Sequence, residues 1–261
     1  MTRTILVTGG TGTLGQQVLA RLPATDEIRV LTRQDREDAG NVRYYRGDLL
    51  SGDGVAPALA GADVVIHCAG AAKGDDSVAR HLIAAAQAAG RPHIVSISVI
   101  GADRVPQTGW LDRSFFGYFG AKRDAEKAIE ESGLPWTILR ASQFHQLMLV
   151  VAEALARLPV IPAPSRFRVQ PVDAGDVAER LVALALGPAR GHVANIAGPA
   201  VYDIADLIRT YLVASGTHRP MLPLWLPGAA AGAFRAGANI DPAHATGRVT
   251  WDQALAERFG G

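Results

Sequence analysis

Along its first two-thirds the chain alternates short, β-branched apolar runs with longer stretches whose apolar residues recur at helical spacing. The runs RTILVTG, EIRVLTR, VRYYRGD, ADVVIHCAG, HIVSISVIG and PWTILRA read as strands. Helices are predicted near residues 13–22, 54–60, 74–90, 114–132 and 143–157. Buried strands joined by helices imply a parallel sheet with right-handed crossovers. The predicted fold class is therefore doubly wound α/β. After residue 158 the rhythm changes. LPVIPAPSRFRVQPVD is proline-rich and extended, a helix is predicted over 174–187, HVANIAG reads as a short strand, and a further helix begins near DIADLIRTYL. The tail LPLWLPGAAAGAFRAGANI is apolar without a clear period, and it is read as a lid or a wall of a site.

Composition narrows the function classes. At 261 residues, 48% hydrophobic and 20% charged, the chain can bury a large core as one α/β unit with a small appendage. A net charge of +1 with interspersed signs argues against nucleic acid or an acidic membrane surface as the main partner. The opening MTRTILVTGG lacks a secretory apolar core, and no run is apolar enough to span a bilayer. The single cysteine, Cys68, excludes an internal disulfide and fits a cytoplasmic location. Cys68 reads as a small buried residue at a strand end, and His67 as a satisfied core histidine. No His, Cys and carboxylate set has metal spacing, so no metal is predicted.

Chemistry enters at TGGTGTLG, which holds Gly9-x-x-Gly12-x-x-Gly15 and, overlapping it, Gly10-x-Gly12-x-x-Gly15. It follows a predicted strand and opens a predicted helix, the context in which glycines let a dinucleotide pyrophosphate approach backbone N–H groups. Gly9, Thr11, Gly12, Thr13 and Leu14 are the expected contacts. At the end of the second strand, where an acidic residue would accept from the 2′-hydroxyl of NAD, the chain has Thr32 followed by Arg33. A guanidinium there pairs with a 2′-phosphate, so NADP (as NADPH) is the expected cofactor in preference to NAD. Arg36 is a second candidate and reads better as a solvated loop residue, and Asp35 lies close by. On this reading residues 1–157 form a Rossmann dinucleotide-binding core, and 158–261 complete the fold on the substrate side.

TGGTGTLG, RGDLL, HCAGAAKG, VSISVIGAD, YFGAKRDAEKAIEESGLPWTILRASQF and QPVDAGDVAERLVALAL together resemble the short-chain dehydrogenase/reductase superfamily. The resemblance is to its extended, atypical branch of NmrA-like and NAD(P)H-binding epimerase-type proteins, and it thins in the tail. It implies that Asp48 and Leu49 hold the adenine and that Ala69 and Gly70 line the ribose side. It also implies that Ser142, Gln143 and Phe144, after the sixth strand, shape the nicotinamide pocket. His145 is either a substrate contact or a surface or capping residue. Asp173 and Asp176 read as the cap of a helix start.

Tyr118 and Lys122 stand four residues apart in a predicted helix and so share a face. A phenol with a pKa of about 10 is a poor acid at neutral pH, and a neighbouring ammonium lowers it. Tyr118 can then pass a proton to a carbonyl oxygen as hydride arrives. The resemblance implies that Lys122 also binds the nicotinamide ribose. Ser98 best fits the family spacing to Gly101 as the partner hydroxyl, with Ser96 on the same strand face as the alternative. The apolar SFFG before Tyr118 leaves open that its ring is core. Trp225 and Phe234 would add an apolar wall. The leading expectation is an oxidoreductase exchanging hydride with a carbonyl, alcohol or quinone, acting as monomer or homodimer. Two alternatives are an NADP(H)-binding regulator of NmrA type and a nucleotide-sugar epimerase or dehydratase.

Overall fold

The computed structural model describes residues 2–70 and 75–260. Residues 71–74 of the HCAGAAKG motif, and hence the first residue of the helix predicted at 74–90, lie outside the described residues. The six predicted strands all form. In chain order the elements are β1 (Thr4–Thr8), α1 (Thr13–Leu19), β2 (Glu27–Thr32), β3 (Val42–Arg46), α2 (Val55–Leu59), β4 (Val64–His67), α3 (Asp75–Ala88), β5 (His93–Val99), α4 (Trp110–Glu130) and β6 (Trp136–Ala141). There follow α5 (His145–Ala156), β7 (Ile161–Pro164), β8 (Arg168–Val169), α6 (Ala174–Ala185) and β9 (Gly191–His192). The chain continues through β10 (Tyr202–Asp203), α7 (Ile204–Ala214), β11 (Met221–Leu224), α8 (Ala229–Arg235) and α9 (Trp251–Phe259).

Seven strands form one sheet in the order β3-β2-β1-β4-β5-β6-β9. The pairs β2–β3, β1–β2, β1–β4, β4–β5 and β6–β9 are parallel. The fold is of Rossmann type. Its strand order reverses beside β1, between β1 and β4, where such sheets open a crevice outside the carboxyl ends of their strands. Ile5, Leu6, Val7, Val65, Ile66, Ile94 and Val95 are completely buried, as expected of parallel strands covered on both faces. On one face Leu6, Val65 and Ile94 join Leu59, Leu82, Ile129 and Ile138 in a single apolar cluster. Each such aliphatic side chain contributes about 1.5–3 kcal/mol on burial.

The chain forms two compact units. The first comprises residues 1–98, 121–140 and 177–194, and the second comprises 99–120, 141–176 and 195–261. In the first, buried Glu126 takes a two-pronged ion pair from Arg140, 2.8 and 2.7 Å, which ties α4 to β6. Arg123 bridges Glu126 and Glu130, and His192 of β9 reaches Glu130 at 2.8 Å.

In the second unit, Met148, Ile161, Leu207, Ile208, Tyr211 and the fully buried Trp251 pack together. A second cluster sets Phe116, Phe119 and Phe167 around Phe234. The unplaced tail resolves into β11 and α8, and a further helix, α9, follows. Helix α4 begins four residues earlier than the apolar pattern suggests. Its first turn is held by the Asp112 carboxylate, which accepts from Thr108 Oγ1 (2.9 Å), the Gly109 N–H (3.2 Å) and the Ala230 N–H (3.1 Å).

Candidate functional site

The three motif glycines have different reasons to be glycine. Gly9 has φ +69°, and a Cβ there would lie 2.6 Å from the Ala69 nitrogen. At Gly15 a Cβ would lie 2.1 Å from the Gly9 carbonyl oxygen, so α1 seats directly on the loop. Gly12 is different. Its φ is −83°, it is exposed, and a Cβ would meet only the Gly9 oxygen, at 3.4 Å. Folding does not demand glycine at position 12, and the space above it is open to a ligand backing onto the loop.

A cleft of about 380 Å³ opens over this loop at the ends of β1, β2 and β4. That is within the size range of small-molecule sites. Of the predicted cofactor residues, Gly9, Thr11, Gly12, Arg33, Asp48, Leu49, Ala69 and Gly70 line it. Leu31, Thr32, Gly47, Leu50, Cys68 and Val78 complete the lining; the first three were legible as neighbours of predicted residues, and Val78 on α3 was not. Thr13 is exposed at the start of α1, and Leu14 is buried beneath the loop; neither lines the cleft.

Electrostatics at the β2 end favour an anion. Asp35 is engaged by Arg46 at 2.9 Å, and Arg36 stacks over the Tyr44 ring at 6.0 Å. Among the described residues, the exposed Arg33 guanidinium has no ion-pair or hydrogen-bond partner. Asp48 both faces the cleft and shapes its own turn, with Oδ1 accepting from the Leu50 N–H at 2.9 Å. Behind the lining residue Gly70, Lys122 is buried in α4, and a Cβ on Gly70 would lie 3.1 Å from its Nζ. Desolvation pushes the Cys68 thiol up to about 12, against the pull of the Lys122 ammonium, so it is a neutral wall residue rather than a nucleophile. His67 is buried and hydrogen-bonded to Thr8 Oγ1 at 2.7 Å, as the core reading expects.

The two candidate serines of β5 are both buried, but differ in their partners. Ser96 Oγ donates a long 3.5 Å bond to the Ile97 carbonyl, whereas Ser98 Oγ has no partner among the described residues. A buried hydroxyl without a partner costs free energy that a bound polar group would recover. Tyr118 stands one turn before Lys122 in α4. It is 41% exposed and packs edge-on to Phe119, so the alternative of a core tyrosine is corrected.

In the second unit the turn after β6 is clamped. Ser142 Oγ donates to the Gln170 carbonyl, and Gln143 Nε2 donates to the Asn239 carbonyl at 3.2 Å. Phe144 bridges Val172 and precedes α5 as its N-cap residue. His145 is neither surface nor cap. It is buried as the first residue of α5, 6.2 Å from the Trp251 ring, and burial lowers its pKa. Phe234 also departs from expectation, because it fills the aromatic core cluster rather than a wall. Trp225 is exposed, with the Arg235 guanidinium 4.0 Å above its ring. Asp173 caps α6 as predicted, accepting from the Gly175 and Asp176 N–H groups, while Asp176 pairs with Arg248. Folding does bring Glu126, Glu130 and His192 within 4.8 Å of one another, which sequence spacing could not show. Their carboxylates are taken by Arg140 and Arg123, so the cluster reads as an ion-pair network.

A family model described as NAD(P)H-binding matches residues 9–187. The chain belongs to that NAD(P)H-binding family. The chain is 29% identical over 222 residues to the NAD(P)H azoreductase of Xenophilus azovorans, covering 81% of this chain and 74% of that one. It is 29% identical over 200 residues to the (4-alkanoyl-5-oxo-2,5-dihydrofuran-3-yl)methyl phosphate reductase of Streptomyces griseus, covering 75% and 68%. The fold is shared with the NADPH complex of the quinone oxidoreductase QOR2 from Escherichia coli, with TM-score 0.78, 20% identity, and 98% and 99% of the two chains covered. The family match spans the glycine loop, the cleft, Tyr118 and Lys122.

Proposed function

We propose that the protein is an NAD(P)H-dependent oxidoreductase that reduces an apolar carbonyl compound or quinone, or oxidises the matching alcohol. The observation that carries this is the cleft itself, with open space above Gly12, an unpartnered guanidinium at Arg33 and the Lys122 ammonium beside Gly70. These fit a dinucleotide running from a 2′-phosphate at Arg33, past a pyrophosphate at Gly9–Leu14, to a ribose at Lys122. Asp48 and Leu49 hold the adenine, and Gln143 and Phe144 flank the nicotinamide. Thr32 leaves the 2′ position without a carboxylate, so NADPH is preferred over NADH. Relatives named as azoreductase and reductase support the reaction type.

When bound, the nicotinamide supplies the hydride. The chain's own residues manage the proton and the orientation. Tyr118 passes its hydroxyl proton to the carbonyl oxygen as the carbon is reduced, and Ser98 donates a hydrogen bond to the same oxygen. Its orphaned buried Oγ supports Ser98 over Ser96. Lys122 favours the phenolate left behind.

The test is NADPH oxidation against a panel of quinones, ketones and aldehydes, with Tyr118→Phe beside the wild type. Loss of a single acid–base group should lower kcat by about 10²–10⁴-fold while NADPH binding survives. Binding without turnover on any substrate, unchanged in the variant, would instead favour a nucleotide-sensing regulator.

A further inference from the structure

The second unit carries a surface that the proposed reaction does not use. Strands β7 and β11 pair in parallel with Leu222 opposite Pro162 and Leu224 opposite Pro164. Burial alternates along β7: Ile161 and Ala163 turn inward, and Pro162 turns out. Leu222 is 60% exposed, and Leu224, Val160, Leu158 and Trp225 are exposed beside it. The flanking segments meet at both ends of the ribbon, since the Ile161 N–H donates to Pro220 and the Ser165 N–H to Leu224. By register Pro162, Leu222 and Leu224 share one face of the ribbon, and exposed apolar residues gathered in this way mark an interaction surface.

The charge around that face is one-sided. Residues 157–168 and 217–228, which build the ribbon and its ends, contain no Asp or Glu; Arg157 is paired with Glu153 at 2.8 Å, and Arg166, Arg168, Arg219 and His218 carry the cationic excess. This stands in a chain with 26 basic and 25 acidic residues, so the near-zero net charge conceals a local cationic rim. Arg235 stacks on Trp225 and donates to the Leu226 carbonyl at 2.9 Å, holding an indole at the surface next to a cation.

We propose that this face of the ribbon docks the protein peripherally on an anionic lipid bilayer. Apolar side chains enter the headgroup boundary while arginines meet lipid phosphates, the arrangement of interfacial anchors. No helix among the described residues is long and apolar enough to cross a membrane, so the contact is superficial. Strand addition by a second copy is disfavoured, because Pro162, Pro164 and Pro223 remove N–H donors from both strands.

Sedimentation with vesicles of phosphatidylcholine plus phosphatidylglycerol, beside phosphatidylcholine alone, tests the proposal. The full chain should sediment with the anionic vesicles only, and raised salt should release it. Arg166→Glu with Arg219→Glu should weaken binding by at least fivefold for each charge, and Leu222→Ser should weaken it further. Thermal melting and NADPH binding establish that these surface variants remain folded. The proposal is overturned if the wild type stays in the supernatant with both vesicles. It is equally overturned if the charge and Leu222 variants bind as the wild type does, or if light scattering finds a dimer that Leu222→Ser dissolves.

Discussion

Two glycines three residues apart separate folding from binding. At Gly15 an added methyl would meet the Gly9 oxygen and the Gly10 Cα at 2.1 and 2.5 Å, both backbone atoms that cannot swing aside. Gly15→Ala should therefore destabilise by roughly 3 kcal/mol, as overpacking does, and lower the melting temperature measurably. At Gly12 the same addition has room, and the restriction falls on the ligand. The sequence motif alone treats both positions alike. Spacing to Gly101 favoured Ser98 over Ser96 by resemblance alone, and the physical difference between them, the orphaned Oγ, is produced by tertiary packing. Sequence could not place His145, whose neighbours Asp173, Asp176 and Trp251 are distant in the chain. The Thr32–Arg33 pair, by contrast, was fully legible, because the end of β2 is set by local strand pattern.

Among the elements, those with a clean period were readable and those stabilised by remote contacts were not. All six strands of the first two-thirds follow their β-branched or aromatic runs; β1, β4 and β5 are buried along almost their whole length, whereas the edge strand β3 is only half-buried. Helix α9 was missed although Thr250 and Gln253 form a capping box ahead of it, a signal present in the sequence. Strand β11 and helix α8 were beyond pattern reading, because prolines interrupt one and alanines give the other no polar face. The start of α4 depends on Ala230, more than a hundred residues away. That N–H, with the Thr108 hydroxyl, holds the Asp112 carboxyl below the usual carboxylate range. A depressed carboxyl stabilises the fold above its unfolded pKa of about 3.9 and loses that contribution as the pH falls through its folded value. Asp112→Asn should thus lower the melting temperature at neutral pH, and the gap to wild type should narrow in acid.

For the whole molecule, composition and net charge gave the fold class its setting and concealed the distribution of charge. Balanced totals argued against acidic surfaces, yet the segments that build the β7–β11 ribbon hold Arg166, Arg168 and Arg219 and no carboxylate of their own. The family match over residues 9–187 takes in the glycine loop, which lies beside the reversal of strand order between β1 and β4, the place we propose for the dinucleotide. The most direct measurement is calorimetric titration of NADPH and NADH into the wild type, Arg33→Ala and Gly12→Val. The account predicts that NADPH binds at least tenfold more tightly than NADH. Arg33→Ala should erase that preference, a loss of about 1.5–3 kcal/mol for a charge-assisted contact. Gly12→Val should abolish binding of both while melting like the wild type. A folded Gly12→Val protein that binds NADPH with wild-type affinity would contradict the account, because the dinucleotide would then lie elsewhere than on the glycine loop.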